Sequence, residues 1–403
     1  MSVGILAPLR FRDFRLLWSG LLISNLGTWM QFTAIGFHVA QMAGSPQRAA
    51  LYLGFLGAAR AVPVLLLSPV AGVTADLYPR RRVLMAANLV MSAVALALAL
   101  LASAHALALT ALIALTAVNA AGTAFDSPVR QSWTPHLVDR AYLGNAIGLT
   151  SVAFNAPAVI GPALAGVLIV STGVEGAFYV NAVATLAVVA AIAMMAPSPP
   201  SGAVREPLLL SIRTGLVFLA EHPVLRWIIG VFVVSALLVR PYFQLIPAYI
   251  VNTLHGDARE LGWAVACAGI GGFGGAIFTA SFAGARSLQW VAAGSAMCAG
   301  VLALGFVWSI PVALPLLFLV GLGTLGFLGA CNTLIQTLSP DDVRGRAVSV
   351  YTMVAMGVVP GGTFVLGSIA AAIGLHATFA ITGAICLALV VASYALRPEI
   401  RAV

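Results

Sequence analysis

The chain has 403 residues, of which 61% are hydrophobic and only 8% charged, with a formal net charge of +8. Soluble globular proteins carry about 25% charged residues, so too few remain here to cover a water-facing surface, and a water-soluble fold is excluded. The twenty basic residues are all arginine and are scattered through short polar breaks, a distribution that argues against a nucleic-acid partner.

The apolar runs approach or exceed the roughly twenty residues that cross about 30 Å of hydrocarbon at about 1.5 Å per residue. In chain order they predict twelve spans, near residues 15–40, 49–75, 83–103, 106–127, 143–171, 176–196, 225–251, 260–284, 288–309, 311–337, 348–372 and 376–396. The first follows Arg10-Phe11-Arg12-Asp13-Phe14-Arg15 and has no small-residue cleavage site near its end, so it reads as a retained helix. The third and fourth are separated only by Ser103-Ala104-His105, the thinnest break in the series. With the N-terminus inside, Arg48 and Arg259 alone fall in outside loops, while Arg80, Arg81, Arg82, Arg130, Arg140 and the other loop arginines are cytoplasmic. That asymmetry satisfies the positive-inside rule and places both termini in the cytoplasm.

The longest polar interruption begins at Pro197-Ser198-Pro199-Pro200-Ser201-Gly202. It divides the chain into an N-terminal six-helix half (1–196), a cytoplasmic linker (197–224) and a C-terminal six-helix half (225–403). The halves resemble each other: Gln131-Ser132-Trp133-Thr134-Pro135 answers Gln336-Thr337-Leu338-Ser339-Pro340, and Gly166, Gly173 and Phe178 answer Gly367, Gly374 and Phe379. Two parallel six-helix repeats meeting at a midplane cavity is a transporter architecture. The expected fold is therefore an all-α membrane protein of twelve transmembrane helices in two pseudo-symmetric halves.

After the second span stands Gly72-Val73-Thr74-Ala75-Asp76-Leu77-Tyr78-Pro79-Arg80-Arg81-Arg82. It places a glycine for close packing, a carboxylate at the membrane face, a turn and a basic cluster in succession. The pattern resembles the loop signature of the major facilitator superfamily, with Pro79 where that signature has its second glycine. The resemblance implies that Asp76 caps the eleventh helix near Ala347-Val348, where the helix dipole favours negative charge. It also implies that Asp126 pairs with Arg80 or Arg81 as part of a cytoplasmic gate. In the fifth span Gly148, Pro157, Gly161-Pro162 and Gly166 are similar to the exporter signature of the superfamily, with Pro157 and Ala165 replacing glycines, and are read as helix-packing positions. Phe14-Arg15-Leu16-Leu17-Trp18, Ser24 through Gln31, Arg60-Ala61-Val62-Pro63 and Pro128 through Ala146 resemble the enterobactin-exporter-like branch, also called transmembrane secretion effectors. That branch implies efflux of siderophores, drugs or other amphipathic small molecules coupled to protons.

Arg60 and Arg240 lie deep in apolar runs, each shortly before a proline. An arginine at a helix centre costs about 2.5–3.5 kcal/mol on insertion scales and faces a cavity or a partner. Both are candidates to line a substrate cavity or to anchor packing, together with the polar residues Asn25, Thr28, Gln31, Asn155, Gln244 and Asn332. No carboxylate falls at mid-membrane, so proton coupling would run through Asp76, Asp126, His38 or the substrate itself. No metal cluster, nucleophile–base pair or cofactor motif stands out, and the chain is expected not to be an enzyme and to need no cofactor. The composite expectation is a monomeric secondary transporter of the bacterial inner membrane, exporting a small amphipathic solute by rocker-switch alternating access. An uptake symporter or facilitator, a lysolipid flippase and a non-transporting receptor or assembly subunit are the alternatives. Asp76→Asn should lower flux in reconstituted vesicles while expression stays intact; unchanged flux would remove Asp76 from the gate.

Overall fold

In hydrocarbon a backbone amide has no water to bond, so each apolar run must close its hydrogen bonds within itself as a helix. The computed structural model describes residue 4 and residues 6–196, 208–281 and 286–401; within its helices the side chains of 68, 69, 72, 73, 75, 76, 132, 208–212, 280 and 356 lie outside the description. Among the described residues there is no strand. The helices are α1 (Arg12–Ala43), α2 (Pro46–Leu77), α3 (Arg80–Ser103), α4 (Leu109–Trp133), α5 (Leu143–Thr172), α6 (Val174–Ala193), α7 (Leu208–Glu221) and α8 (Leu225–Leu238). They continue as α9 (Tyr242–Pro247), α10 (Ala258–Ser281), α11 (Arg286–Leu304), α12 (Ile310–Leu338), α13 (Asp341–Met353), α14 (Val359–Ile373), α15 (Leu375–Leu396) and α16 (Pro398–Arg401). Two π-helical segments, Ala248–Thr253 and Val354–Val358, continue α9 and join α13 to α14.

Among the described residues, ten stretches meet the length and hydropathy needed to span a bilayer. α1 and the run from α13 through α14 supply the other two of the twelve expected spans. The thin third-to-fourth break is a true turn: α3 stops at Ser103, His105 takes a left-handed conformation (φ 52°), and α4 starts at Leu109. The polar stretch read as linker differs from expectation in its second part, where α7 forms a further helix packed against α13. Its first part, residues 197–207, lies outside the described residues.

The chain forms two compact units, Met1–His38 with Val62–Val204 and Val39–Ala61 with Arg205–Val403. Residues 39–61 thus group with the C-terminal helices, and small residues explain why. A Cβ on Gly57 would lie 2.5 Å from Thr363 Cβ and 2.7 Å from the Pro360 carbonyl oxygen, and one on Gly367 would lie 2.5 Å from the Ala50 carbonyl oxygen. The internal repeat is visible in the backbone. Gly173 (φ 77°) ends α5 and opens α6, and Gly374 (φ 84°) ends α14 and opens α15, a conformation that disfavours any side chain. Phe178 and Phe379, five residues on, are both fully buried.

The glycine runs of α10 and α12 let two backbones meet. A Cβ on Gly275 would overlap the Leu322 carbonyl oxygen, and one on Gly321 would overlap that of Ala268. Gly275→Ala and Gly321→Ala should each destabilise by about 1–3 kcal/mol, the usual cost of overpacking. Gly274→Ala, whose Cβ would meet only Leu322 Cδ1 at 4.0 Å, should leave the unfolding temperature in detergent nearly unchanged.

Candidate substrate site

Helices α1, α3, α4 and α6 of the first unit bring polar side chains to one cavity of about 160 Å³. Asn25, Thr28 and Gln31 come from α1, Asn88 from α3, Asp126 and Arg130 from α4 and Asn181 from α6. Asp126 is only 9% exposed. One helical turn along, Arg130 donates Nε to Asp126 Oδ2 at 3.0 Å and Nη2 to Oδ1. Asn88 Nδ2 adds a third bond to Asp126 Oδ1 at 2.7 Å. Charge-assisted, two-pronged contacts of this kind are the strong ones. They leave Arg130 Nη1 as a buried donor and Asn88 Oδ1 as a buried acceptor with no protein partner.

The remaining cavity polar groups also tie helices together. Asn25 Nδ2 donates to the Ala153 carbonyl of α5 at 2.9 Å, and Asn181 Nδ2 donates to Gln31 Oε1 at 2.8 Å. Trp18 Nε1 donates to the Leu149 carbonyl at 2.7 Å, a second tie from α1 to α5.

A second polar cluster lies in the other unit. Arg60 Nη1 of α2 donates to Gln244 Oε1 of α9 at 3.2 Å. Arg240 stands in the break between α8 and α9 and donates Nη2 to the Ala355 carbonyl at 3.4 Å. Its guanidinium carbon sits 5.4 Å from the centre of the Phe232 ring, a cation–π distance.

A match to the transmembrane secretion effector family runs over residues 3–402. The chain belongs to this family. The multidrug efflux pump Tap of Mycolicibacterium fortuitum is 29% identical over 376 residues, covering 89% of each chain. The enterobactin exporter EntS of Citrobacter koseri is 27% identical, covering 84% of this chain and 80% of that one. Among solved structures, a bacterial homolog of the human lysosomal transporter Spinster superposes with a TM-score of 0.72 at 16% identity, over 97% of this chain and 98% of that one. The chain is a secondary transporter of the major facilitator fold, in the branch of these secretion effectors.

Of the expected cavity residues, Asn25, Thr28 and Gln31 line the first-unit cavity, and Arg60, Gln244 and Arg240 belong to the second unit. Asn155 turns back to the Ser151 carbonyl of its own helix at 2.8 Å, and Asn332 accepts from Gln336 one turn away at 3.0 Å; neither lines that cavity. The expected pairing of Asp126 with Arg80 or Arg81 gives way to Arg130, which is nearer by construction, four residues along the same helix. Arg81 bonds the Ala193 carbonyl instead, and buried Arg80 Nε has no partner. The surroundings of Gly72 and the side chain of Asp76 lie outside the description. Among the packing positions, Gly161 is required, since a Cβ there would lie 2.7 Å from Trp29 Cβ; Pro157, Pro162 and Gly166 are buried. Gly148 is the exception, with nothing within 4 Å of a Cβ. His38 Nε2 lies 3.0 Å from the Leu107 carbonyl oxygen in the α3–α4 turn, away from the cavity.

Asn88, Arg130 and Asn181 are among the cavity residues that sequence reasoning passed over, with Asn119, Thr123 and Thr185 beside them. The Asp126–Arg130 spacing was a usable signal, being the ion-pair spacing of a helix. In a double-mutant cycle, Asp126→Asn and Arg130→Gln should couple by about 0.5–3 kcal/mol, the pair costing less than the sum of the singles in thermal unfolding.

Proposed function

We propose that this transporter exports small amphipathic solutes (siderophores, drugs or metabolites) across a bacterial inner membrane, working as a monomer by rocker-switch alternating access. The observation that carries this is the first-unit cavity, in which a carboxylate and a guanidinium are held in pair among amides. Such a site offers donors and acceptors to a polar head while the spans around it are apolar. The functional halves are residues 1–196 and 225–403, joined by 197–224 and both ending in the cytoplasm, as the repeat and the arginine distribution suggest. Gly72, Asp76, Arg80, Arg81 and Asp126 form the cytoplasmic gate in this reading. Asn25, Thr28, Gln31, Arg60, Asn155, Arg240, Gln244 and Asn332 are the polar contacts of the substrate in this reading.

Protons are the proposed coupling ion. Asp126 is the carboxylate that lines the cavity, and protonating it would release Arg130 to a substrate. A second reading, lysolipid movement, draws on an apolar cavity of about 450 Å³ beside α2, α3 and α4, lined by Tyr78, Val83, Val90 and Phe125 with Arg82 among them.

Inverted membrane vesicles energised with an acid interior should accumulate ethidium or enterobactin, and Asp126→Asn should reduce accumulation at least tenfold. Accumulation by right-side-out vesicles alone would make the protein an importer. Movement of a labelled lysolipid, with neither probe transported, would favour the second reading.

A further inference from the structure

Two interruptions of regular helix face one side chain. The span from Leu225 to Thr253 breaks at Val239–Pro241, where the Arg240 amide reaches back to the Ser235 carbonyl at 2.8 Å, and Pro241 supplies no amide hydrogen. The span from Asp341 to Ile373 loosens into the π-segment Val354–Val358. Segments of this kind recur at functional sites, and interrupted helices carry the binding sites of many transporters. Arg240 bridges the two through its bond to Ala355.

That bond is long and single, and the guanidinium has five N–H groups to place. Nε and Nη1 are sealed from solvent and have no hydrogen-bond partner. Phe232 takes part of the positive charge on its ring face. Among the described residues, the titratable groups close enough to act on Arg240 are Tyr351, Cys331 and Tyr242, and none is a carboxylate. The described carboxylates of this unit, Glu221, Asp257, Glu260, Asp341, Asp342 and Glu399, lie at or near helix ends, whereas Arg240 lies mid-span. A buried cation without an anion or a full set of acceptors is costly. A Leu or Met would fill the same space without that cost.

We propose that Arg240 receives an oxyanion of the transported solute, a carboxylate or its chemical equivalent, with Nε or Nη1 as donor. The proposal rests on the transport reading and deepens it: the solute class is anionic at one end and apolar or aromatic at the other, the latter suiting Phe232 and Tyr351, whose rings stack at 5.0 Å. Arg60, fixed to Gln244 four residues beyond Arg240, adds a second positive charge to the same unit.

The test is thermal unfolding of the purified full-length protein with benzoate against benzamide, 2,3-dihydroxybenzoate against its amide, and sulfate. Wild type should be stabilised by the two carboxylates and not by their amides. In Arg240→Gln the half-maximal concentration for stabilisation should rise at least tenfold, while Arg240→Lys keeps a weakened response. Arg240→Met should unfold at a higher temperature than wild type without ligand, because a binding residue held unpaired is a burden that a packing residue is not. Amides as effective as acids, an unaltered acid response in Arg240→Gln, or a lower ligand-free unfolding temperature in Arg240→Met would overturn the proposal. Equal stabilisation by sulfate would assign the site to a free inorganic anion and also overturn it. Inverted wild-type vesicles that accumulate neither 2,3-dihydroxybenzoate nor enterobactin, beside an Arg240-dependent acid response, would sink the exporter reading alone. Accumulation of either probe without that response would sink the oxyanion site alone.

Discussion

Hydrocarbon offers no hydrogen bonds, and this one deprivation organises the molecule. The backbone answers with helices. Hydroxyl side chains mostly answer within their own turn: Thr33, Thr74, Thr150, Thr172, Thr324, Thr363 and Thr382 each donate to the carbonyl four residues back. Amides are longer and reach across, as Asn25 does to α5, Asn181 to α1 and Asn252 to the Ala40 carbonyl. Ten buried side-chain atoms among the described residues have no hydrogen-bond partner, and four of them, Arg130 Nη1, Asn88 Oδ1 and Nε and Nη1 of Arg240, fall in the two polar clusters.

The two clusters differ in kind, although the units that hold them contain matched elements. The glycine corners at Gly173 and Gly374, with their buried phenylalanines, show that the repeat survives in backbone geometry. The side chains have diverged. The first unit pairs a buried carboxylate with a buried guanidinium, Asp126 with Arg130. The second holds arginines at depth and keeps its described carboxylates at helix ends. The two units thus hold their charged side chains in different ways despite the matched corners.

Much of this was legible in the residues, for stated reasons. Run length against bilayer thickness gives the spans, and even the three-residue break at Ser103-Ala104-His105 was real because His105 could adopt a left-handed turn. Pro241 marked the interruption of its span. The π-segment at Val354–Val358 left no mark, since a change of hydrogen-bond register needs no breaker residue. Asparagines were ambiguous for a related reason: Asn88 and Asn155 look alike in an apolar run, yet one meets Asp126 and the other bends back to Ser151. Periodicity says that a polar residue is present, not which neighbouring helix its side chain can reach. Arg130 was hidden by its place near the end of a span, where positive charge is expected in the cytosol whether or not it is buried. The helix α7 was masked by the prolines and charges around it.

The glycine contact between α10 and α12 carries a mechanical consequence. Ordinary helix pairs can slide a little, because side chains at the seam change rotamer as ridges pass grooves. Where Gly275 and Gly321 set main chain against main chain, there is no rotamer left to yield. These two helices therefore form a stiff pair, whereas regular helix is interrupted in the same unit at Val239–Pro241 and in the π-segments Ala248–Thr253 and Val354–Val358. Arg240 stands in the first of these interruptions and donates to the last, so its charge is lodged where the hydrogen-bond register of two spans changes.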